Sequence, residues 1–186
     1  MKVKICGLHP VRDVQLCINR GVDFLGFVFY EKSPRNVSLE EIKKLKTYNR
    51  SNSQFVAVTV NPKDEFIKNV ISGTFDYIQL HGSETKERVE EIKSMGLKII
   101  KTIKVRSEKD IDNYKKYENA DIILFDTPGM EKSIKFPKDL IWKLPKGERF
   151  ALAGSISQNN IGNIKKLGVN FCDLSSNLET DTEIGY

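Results

Sequence analysis

Phe24-Leu25-Gly26-Phe27-Val28-Phe29 is an almost unbroken apolar run of strand length. A strand apolar on both faces is one buried on both faces, which fits a parallel strand covered on the outside by helices. Its flanks agree. Upstream, Val11 to Asn19 puts Val11, Val14 and Ile18 on one helical face, and Gly21 ends that helix. Downstream, Ser38 followed three residues later by Glu41 has the capping-box spacing that opens a helix.

Working outward, strand and helix alternate at intervals of roughly two dozen residues, with no single sequence repeat. Strand one is Lys2 to Cys6, and strand three is Phe55 to Val60 with Asn61-Pro62 as its turn. A helix over Lys63 to Ser72 leads to strand four, Tyr77 to His81, and a helix over Thr85 to Met95 to strand five, Lys98 to Val105. Ser107 caps a polar helix through Tyr117 before strand six, Ala120 to Phe125. A loop over Thr127 to Pro137 and a short helix around Asp139 to Leu144 precede strand seven, Phe150 to Ala153. A helix over Gln158 to Leu167 and strand eight, Asn170 to Leu174, complete the pattern.

Such alternation calls for right-handed crossovers and a parallel sheet. Eight strands are the number that closes a (β/α)8 (TIM) barrel. The competing arrangement is an open doubly wound sheet, disfavoured because such sheets usually hold five or six strands and no GxGxxG follows strand one. The chain stops at Tyr186 where an eighth outer helix is expected, so that helix is expected to be missing or truncated. No Ser/Gly-rich linker interrupts the pattern, and one domain over 1–186 is expected.

Composition narrows the function classes. With 39% hydrophobic and 30% charged residues, disorder is not expected. No apolar run approaches the roughly 20 residues of a membrane span. The N-terminus enters a strand directly, with no leader, which points to the cytoplasm. The three cysteines, Cys6, Cys17 and Cys172, form no CxxC pair and suggest reduced thiols, with Cys17 and Cys172 in packing roles. The net charge of +5 comes from lysines interleaved with glutamates, as in Leu39 to Lys44, and this is a solvated helix face better than a nucleic-acid surface. It still favours arrival of an anionic small molecule.

In a closed parallel barrel, chemistry sits at the C-terminal ends of the strands. Cys6 ends strand one, and because side chains alternate, Lys4 shares its face. A thiol of ordinary pKa about 8.5 acts as a base near neutrality only where positive charge or backbone donors favour the thiolate, and Lys4 is one such charge. Asp126 follows Ile122-Ile123-Leu124-Phe125, where a partly desolvated carboxyl keeps its proton and can donate it. Arg35, in Ser33-Pro34-Arg35 beyond strand two, is shaped for bidentate carboxylate binding. Gln79 and His81 share the inward face of strand four as secondary candidates. Gly154-Ser155 and Ser175-Ser176 follow strands seven and eight, whose loops often bind phosphate in such barrels.

Taken together, these segments resemble the phosphoribosylanthranilate isomerases of tryptophan biosynthesis. The matching stretches are Lys4-Ile5-Cys6-Gly7, Gly26 to Tyr30 with Ser33-Pro34-Arg35, Val58 to Asn61, Gln79-Leu80-His81-Gly82, Leu124-Phe125-Asp126-Thr127, Leu152-Ala153-Gly154, and Asp173 with Ser175-Ser176 and Glu179-Thr180. The resemblance implies a cofactor-free, metal-free Amadori rearrangement of a small phosphosugar, N-(5'-phosphoribosyl)anthranilate, by a monomer or homodimer. It also implies Asp126 as general acid, Cys6 as general base and Arg35 as the partner of the anthranilate carboxylate. Ser155 stands where the family usually has a second glycine, Asn177 replaces the glycine after the serine pair, and Pro128 to Lys132 lacks the family's glycine-rich run. A related phosphosugar enzyme is expected to carry a carboxylate in place of the thiol of strand one. A binding protein built on a degraded barrel is the alternative from another class.

Overall fold

The computed structural model describes residues 1–9, 13–127, 136–154, 156–175 and 178. Its strands are β1 (Lys2–Cys6), β2 (Phe24–Phe29), β3 (Gln54–Thr59), β4 (Tyr77–Leu80), β5 (Lys98–Lys104), β6 (Ile122–Asp126), β7 (Phe150–Leu152) and β8 (Phe171–Leu174). Each pairs in parallel with its sequence neighbour, and β8 pairs with β1 through Lys2↔Phe171 to Ile5↔Leu174. An open doubly wound sheet leaves its outermost strands unpaired on one side. Here no strand is an edge, so the closed barrel is the fold.

Around the barrel run α1 (Val14–Asn19), α2 (Leu39–Leu45), α3 (Asp64–Phe66), α4 (Lys86–Ser94), α5 (Glu108–Ile111), α6 (Lys138–Ile141) and α7 (Ile161–Lys166). Two expected helices are α-helical over only part of their length. After Phe66 the chain widens into π geometry over Ile67–Ile71, with the Ser72 N–H reaching back to the Ile67 carbonyl at 2.9 Å. After Ile111 it tightens into a 3-10 helix over Asp112–Tyr117, which has no buried residue. Its contacts with the core come from two partly buried tyrosines, Tyr114 edge-on to Phe125 and Phe150, and Tyr117, whose hydroxyl donates to the Glu84 carbonyl at 3.0 Å. The proposed start of the first helix at Val11, most of the loop over Thr127 to Pro137 and the stretch beyond Leu178 lie outside the described residues.

The apolar side chains divide into two layers. Phe27, Phe55, Ile78, Ile99 and Phe125 face outward and pack beneath the helices. Phe24, Val56, Val58, Ile100, Leu124 and Phe171 fill the barrel interior. This double burial is why Phe24–Phe29 is apolar on both faces. At the N-terminal end Phe24 stacks on Phe171 (centroids 4.9 Å apart) and meets Tyr77 edge-on at 5.4 Å, forming an aromatic floor.

The same rim carries a recurring device that was not anticipated. Asp23, Asp76 and Asp121 immediately precede or adjoin the starts of β2, β4 and β6, and each accepts the first free N–H of the preceding strand. The donors are Val3 (2.8 Å), Phe55 (2.7 Å) and Ile99 (2.7 Å). Each aspartate satisfies a backbone donor that the ladder leaves over.

The capping box at α2 forms as the spacing predicts: the Glu41 N–H donates to Ser38 Oγ at 3.3 Å, and the Ser38 N–H donates to Glu41 Oε2 at 2.9 Å. It anchors a helix whose Ile42 and Leu45 are buried. Ser38→Ala is expected to cost about 1 kcal/mol of stability, seen as a lower urea midpoint with an unchanged slope. An unchanged midpoint removes the cap from the list of stabilising features.

Candidate active site

The C-terminal ends of the strands surround a cavity of about 710 Å³. Cys6 from β1, Arg35 from beyond β2, Gln79 and His81 from β4, and Asp126 from β6 line it, with Gly154 and Ser175 following β7 and β8. Lys4 lies below them, closed inside the barrel. Ser155 and Ser176, the other half of the expected phosphate loops, lie outside the described residues, as does Asn177.

Cys6 and Lys4 occupy the same face of β1, two residues apart, as alternation requires. Lys4 is paired in register with Asp173 on β8, and its ammonium donates to both carboxylate oxygens, at 2.9 and 3.0 Å. Burial alone would drive the proton off Lys4. The Asp173 carboxylate more than offsets that, with help from Cys6, and Lys4 stays charged. Burial is also what pushes the Cys6 thiol above its ordinary value; Asp173 pushes the same way, while Lys4 and Arg35 pull it down. The cation expected beneath the thiol is present, but burial outweighs it.

Asp126 ends the apolar β6 and faces the cavity from the side opposite β1. Burial, then the negative charge of Asp173, raises its carboxyl to about 6. The Thr127 N–H, 2.7 Å from Oδ1, together with Lys4 and Lys104, acts in the other direction without winning. Beside it, the His81 ring is held down to about 4 by burial and by Lys104, Lys4 and Lys101, so it is neutral near pH 7. The amide nitrogen of Gln79 lies 3.4 Å from His81 Nδ1 and donates to Thr102 Oγ1 at 3.3 Å. Nε2 points at Asp126 Oδ2 from 3.6 Å, longer than a hydrogen bond.

Arg35 is delivered by a tight turn: the Ser33 N–H donates to the Tyr30 carbonyl (2.8 Å), and the Tyr30 N–H to Asn36 Oδ1 (2.8 Å). Its side chain crosses Gly7, where a Cβ would sit 2.3 Å from Arg35 Cδ. Gly7 also has φ +86, a conformation that L side chains rarely adopt. On the far side, Gly154 has φ +95, and a Cβ there would meet Thr127 at 3.0 Å. The glycines of the sequence motifs therefore mark the places where neighbouring loops touch backbone.

Sequence reasoning passed over two charged cavity residues, Lys104 and Asp173. Lys104 ends β5 beside Asp126 in the register. Strand five was expected to end at Val105, which faces outward, so no inward residue was assigned to it. Counting alternation from Ile100 through Thr102 would have found Lys104. Asp173 was matched to the family but given no role, because an acidic residue inside a strand gives no sign of the lysine that will neutralise it.

Residues 3–184 match the family model described as N-(5'phosphoribosyl)anthranilate (PRA) isomerase. The N-(5'-phosphoribosyl)anthranilate isomerase of Aquifex aeolicus is 35% identical over 192 residues, covering 97% of this chain and 90% of that protein. That of Caulobacter vibrioides is 37% identical, covering 95% and 86% respectively. Among solved structures, a phosphoribosyl anthranilate isomerase in complex with reduced 1-(o-carboxyphenylamino)-1-deoxyribulose 5-phosphate superposes with a TM-score of 0.80 at 28% identity, covering 97% of this chain and 89% of that one. On both sequence and structure, the chain belongs to the N-(5'-phosphoribosyl)anthranilate isomerase family.

Proposed function

We propose that this isomerase converts N-(5'-phosphoribosyl)anthranilate to 1-(2-carboxyphenylamino)-1-deoxyribulose 5-phosphate with Asp126 as general acid and Cys6 as general base. The observation that carries the assignment is a carboxyl raised to about 6 facing a thiol across one cavity. Asp126 gives its proton to the furanose ring oxygen, the bond from that oxygen to C1' breaks, and the nitrogen lone pair forms the iminium. Cys6 thiolate then takes the C2' proton. The C–H electrons become the C1'=C2' bond and the iminium nitrogen recovers its pair, giving an enolamine that tautomerises to the ketone. Both groups act on a substrate held between them, so proximity contributes as much as their acidity.

Arg35 binds the anthranilate carboxylate in this scheme, and Gly154-Ser155 with Ser175-Ser176 binds the phosphate. Arg35, Gly154 and Ser175 line the same cavity, which supports a substrate that carries two anionic groups, a carboxylate and a phosphate. The match over residues 3–184 and the closed ring of strands support one domain. Lys4, Gln79 and His81 take supporting parts: His81, neutral, can donate a hydrogen bond to a substrate oxygen without competing for the acid's proton.

The direct test is steady-state turnover of freshly generated N-(5'-phosphoribosyl)anthranilate by the purified chain. No turnover by folded protein, with substrate shown to be intact, overturns the proposal and favours the binding-protein alternative. Gly7→Ala is expected to raise KM about tenfold or more with a smaller change in kcat, because a displaced Arg35 loses charge-assisted bonds of about 1.5–3 kcal/mol that ground and transition states share. Unchanged KM would separate Arg35 from substrate binding.

A further inference from the structure

The Lys4–Asp173 pair takes no proton in the scheme above, yet it lies buried inside the barrel beneath the reacting groups. Its side chains are 1% and 7% exposed. A buried ion pair contributes little stability compared with apolar residues of the same volume, so stability alone gives no reason for one inside a barrel packed with Phe, Val, Ile and Leu. The surroundings are also cut to fit it. A Cβ on Gly26 would lie 3.0 Å from Lys4 Nζ and 3.2 Å from Cys6 Cα. The glycine in the otherwise bulky Phe24–Phe29 strand is the slot through which the lysine passes below the thiol.

We propose that Lys4 is a positioning residue for the Cys6 base: held by both oxygens of Asp173 and by the space left at Gly26, its ammonium is the counter-charge of the Cys6 thiolate. This rests on the assignment of Cys6 as base. Lys4 keeps its protons throughout; only the proton moving from C2' to Sγ changes the charge beside it. The charged groups facing Cys6 are Lys4 on its own strand, Asp173 from β8 and Arg35 from the turn after β2. Asp126, His81 and Lys104 face it across the cavity from β6, β4 and β5. His81 is neutral near pH 7, and of the cations Lys4 acts on the thiol most strongly, with Arg35 after it. Asp173 has two opposed effects: it fixes the ammonium in place and opposes the thiolate with its own charge.

Because Lys4 acts on the thiol more strongly than Asp173 does, removing the pair has a definite sign. The rate of alkylation of Cys6 by iodoacetamide is followed against pH by peptide mass spectrometry, which separates it from Cys17 and Cys172. Lys4→Met is expected to move the Cys6 titration up by about 1–3 pH units. A merely structural disturbance that admits water relieves the burial that raises the thiol, and moves it down. Where Lys4→Met alone does not fold, because it strands a buried carboxylate, the Lys4→Met/Asp173→Asn double variant is compared with the parent, and Cys6 is again expected to titrate higher. A Cys6 titration that stays put or moves down in the folded variant overturns the proposal. These readings do not depend on turnover. Loss of the base assignment would instead appear as a Cys6→Ala variant as active as the parent.

Discussion

Asp126→Asn is expected to lower kcat by about 10²–10⁴-fold, the usual worth of a positioned general acid, while KM moves little. The amide has the same shape and its oxygen can still accept from the Thr127 N–H that now meets Oδ1 at 2.7 Å, but it has no proton to deliver to the ring oxygen. The same substitution is expected to stabilise the fold at neutral pH. Below about pH 4 the carboxyl is protonated in both folded and unfolded chains and contributes nothing. As pH rises from there the unfolded chain ionises first, whereas the folded chain holds its proton until about 6, so stability falls across that window. Above it the folded protein carries the full cost of a buried carboxylate, about 1–3 kcal/mol. Urea titrations of parent and Asp126→Asn at pH 3 and pH 8 check this. The expected gain appears only at the higher pH, and equal gains at both would mean that burial does not set the acidity of this group. A less active variant that is more stable is what a functional group held at a stability cost predicts.

The barrel was legible because its cause is visible in one strand. Phe24–Phe29 is apolar on both faces, alternating segments repeat it, and eight such strands leave closure as the arrangement with no edge. What the same strand hid was the meaning of Gly26, which is the gap filled by the Lys4 side chain. Local signals such as the Ser38–Glu41 box could be read directly because both partners lie within one turn. The Lys4–Asp173 pair joins residues 169 positions apart, and only closure of β8 on β1 brings them into register. For the same reason the sequence offers Lys4 as a charge that favours the thiolate but gives no sign of what opposes it: the opposing carboxylate belongs to a strand whose place beside β1 is a property of the ring. The candidate site residues could be listed from strand ends, but not their protonation, which depends on burial and on charges from other strands.

Cys6→Ala is expected to cost about 10²–10⁴-fold in kcat, and its pH dependence distinguishes it from Asp126→Asn. The competent enzyme has Asp126 protonated and Cys6 ionised, although Asp126 titrates near 6 and burial holds the thiol above its ordinary value. Below pH 6 the carboxyl is protonated and the thiolate gains about tenfold per pH unit, so kcat/KM rises. Between the two values each tenfold gain in thiolate is cancelled by a tenfold loss of protonated acid, and the profile is flat. Above the thiol's value it falls. The lower limb of the parent thus follows ionisation of the acid and the upper limb that of the base, the reverse of the usual assignment, and the competent form is a minority at every pH. Removing one group exposes the other. Residual activity of Cys6→Ala needs only the protonated acid, and it should be greatest below pH 6 and decline above. Residual activity of Asp126→Asn needs only the thiolate, and it should climb through neutrality toward the thiol's raised value. Opposite slopes in the two variants assign acid and base; parallel slopes would mean that the two residues do not divide the proton transfers between them.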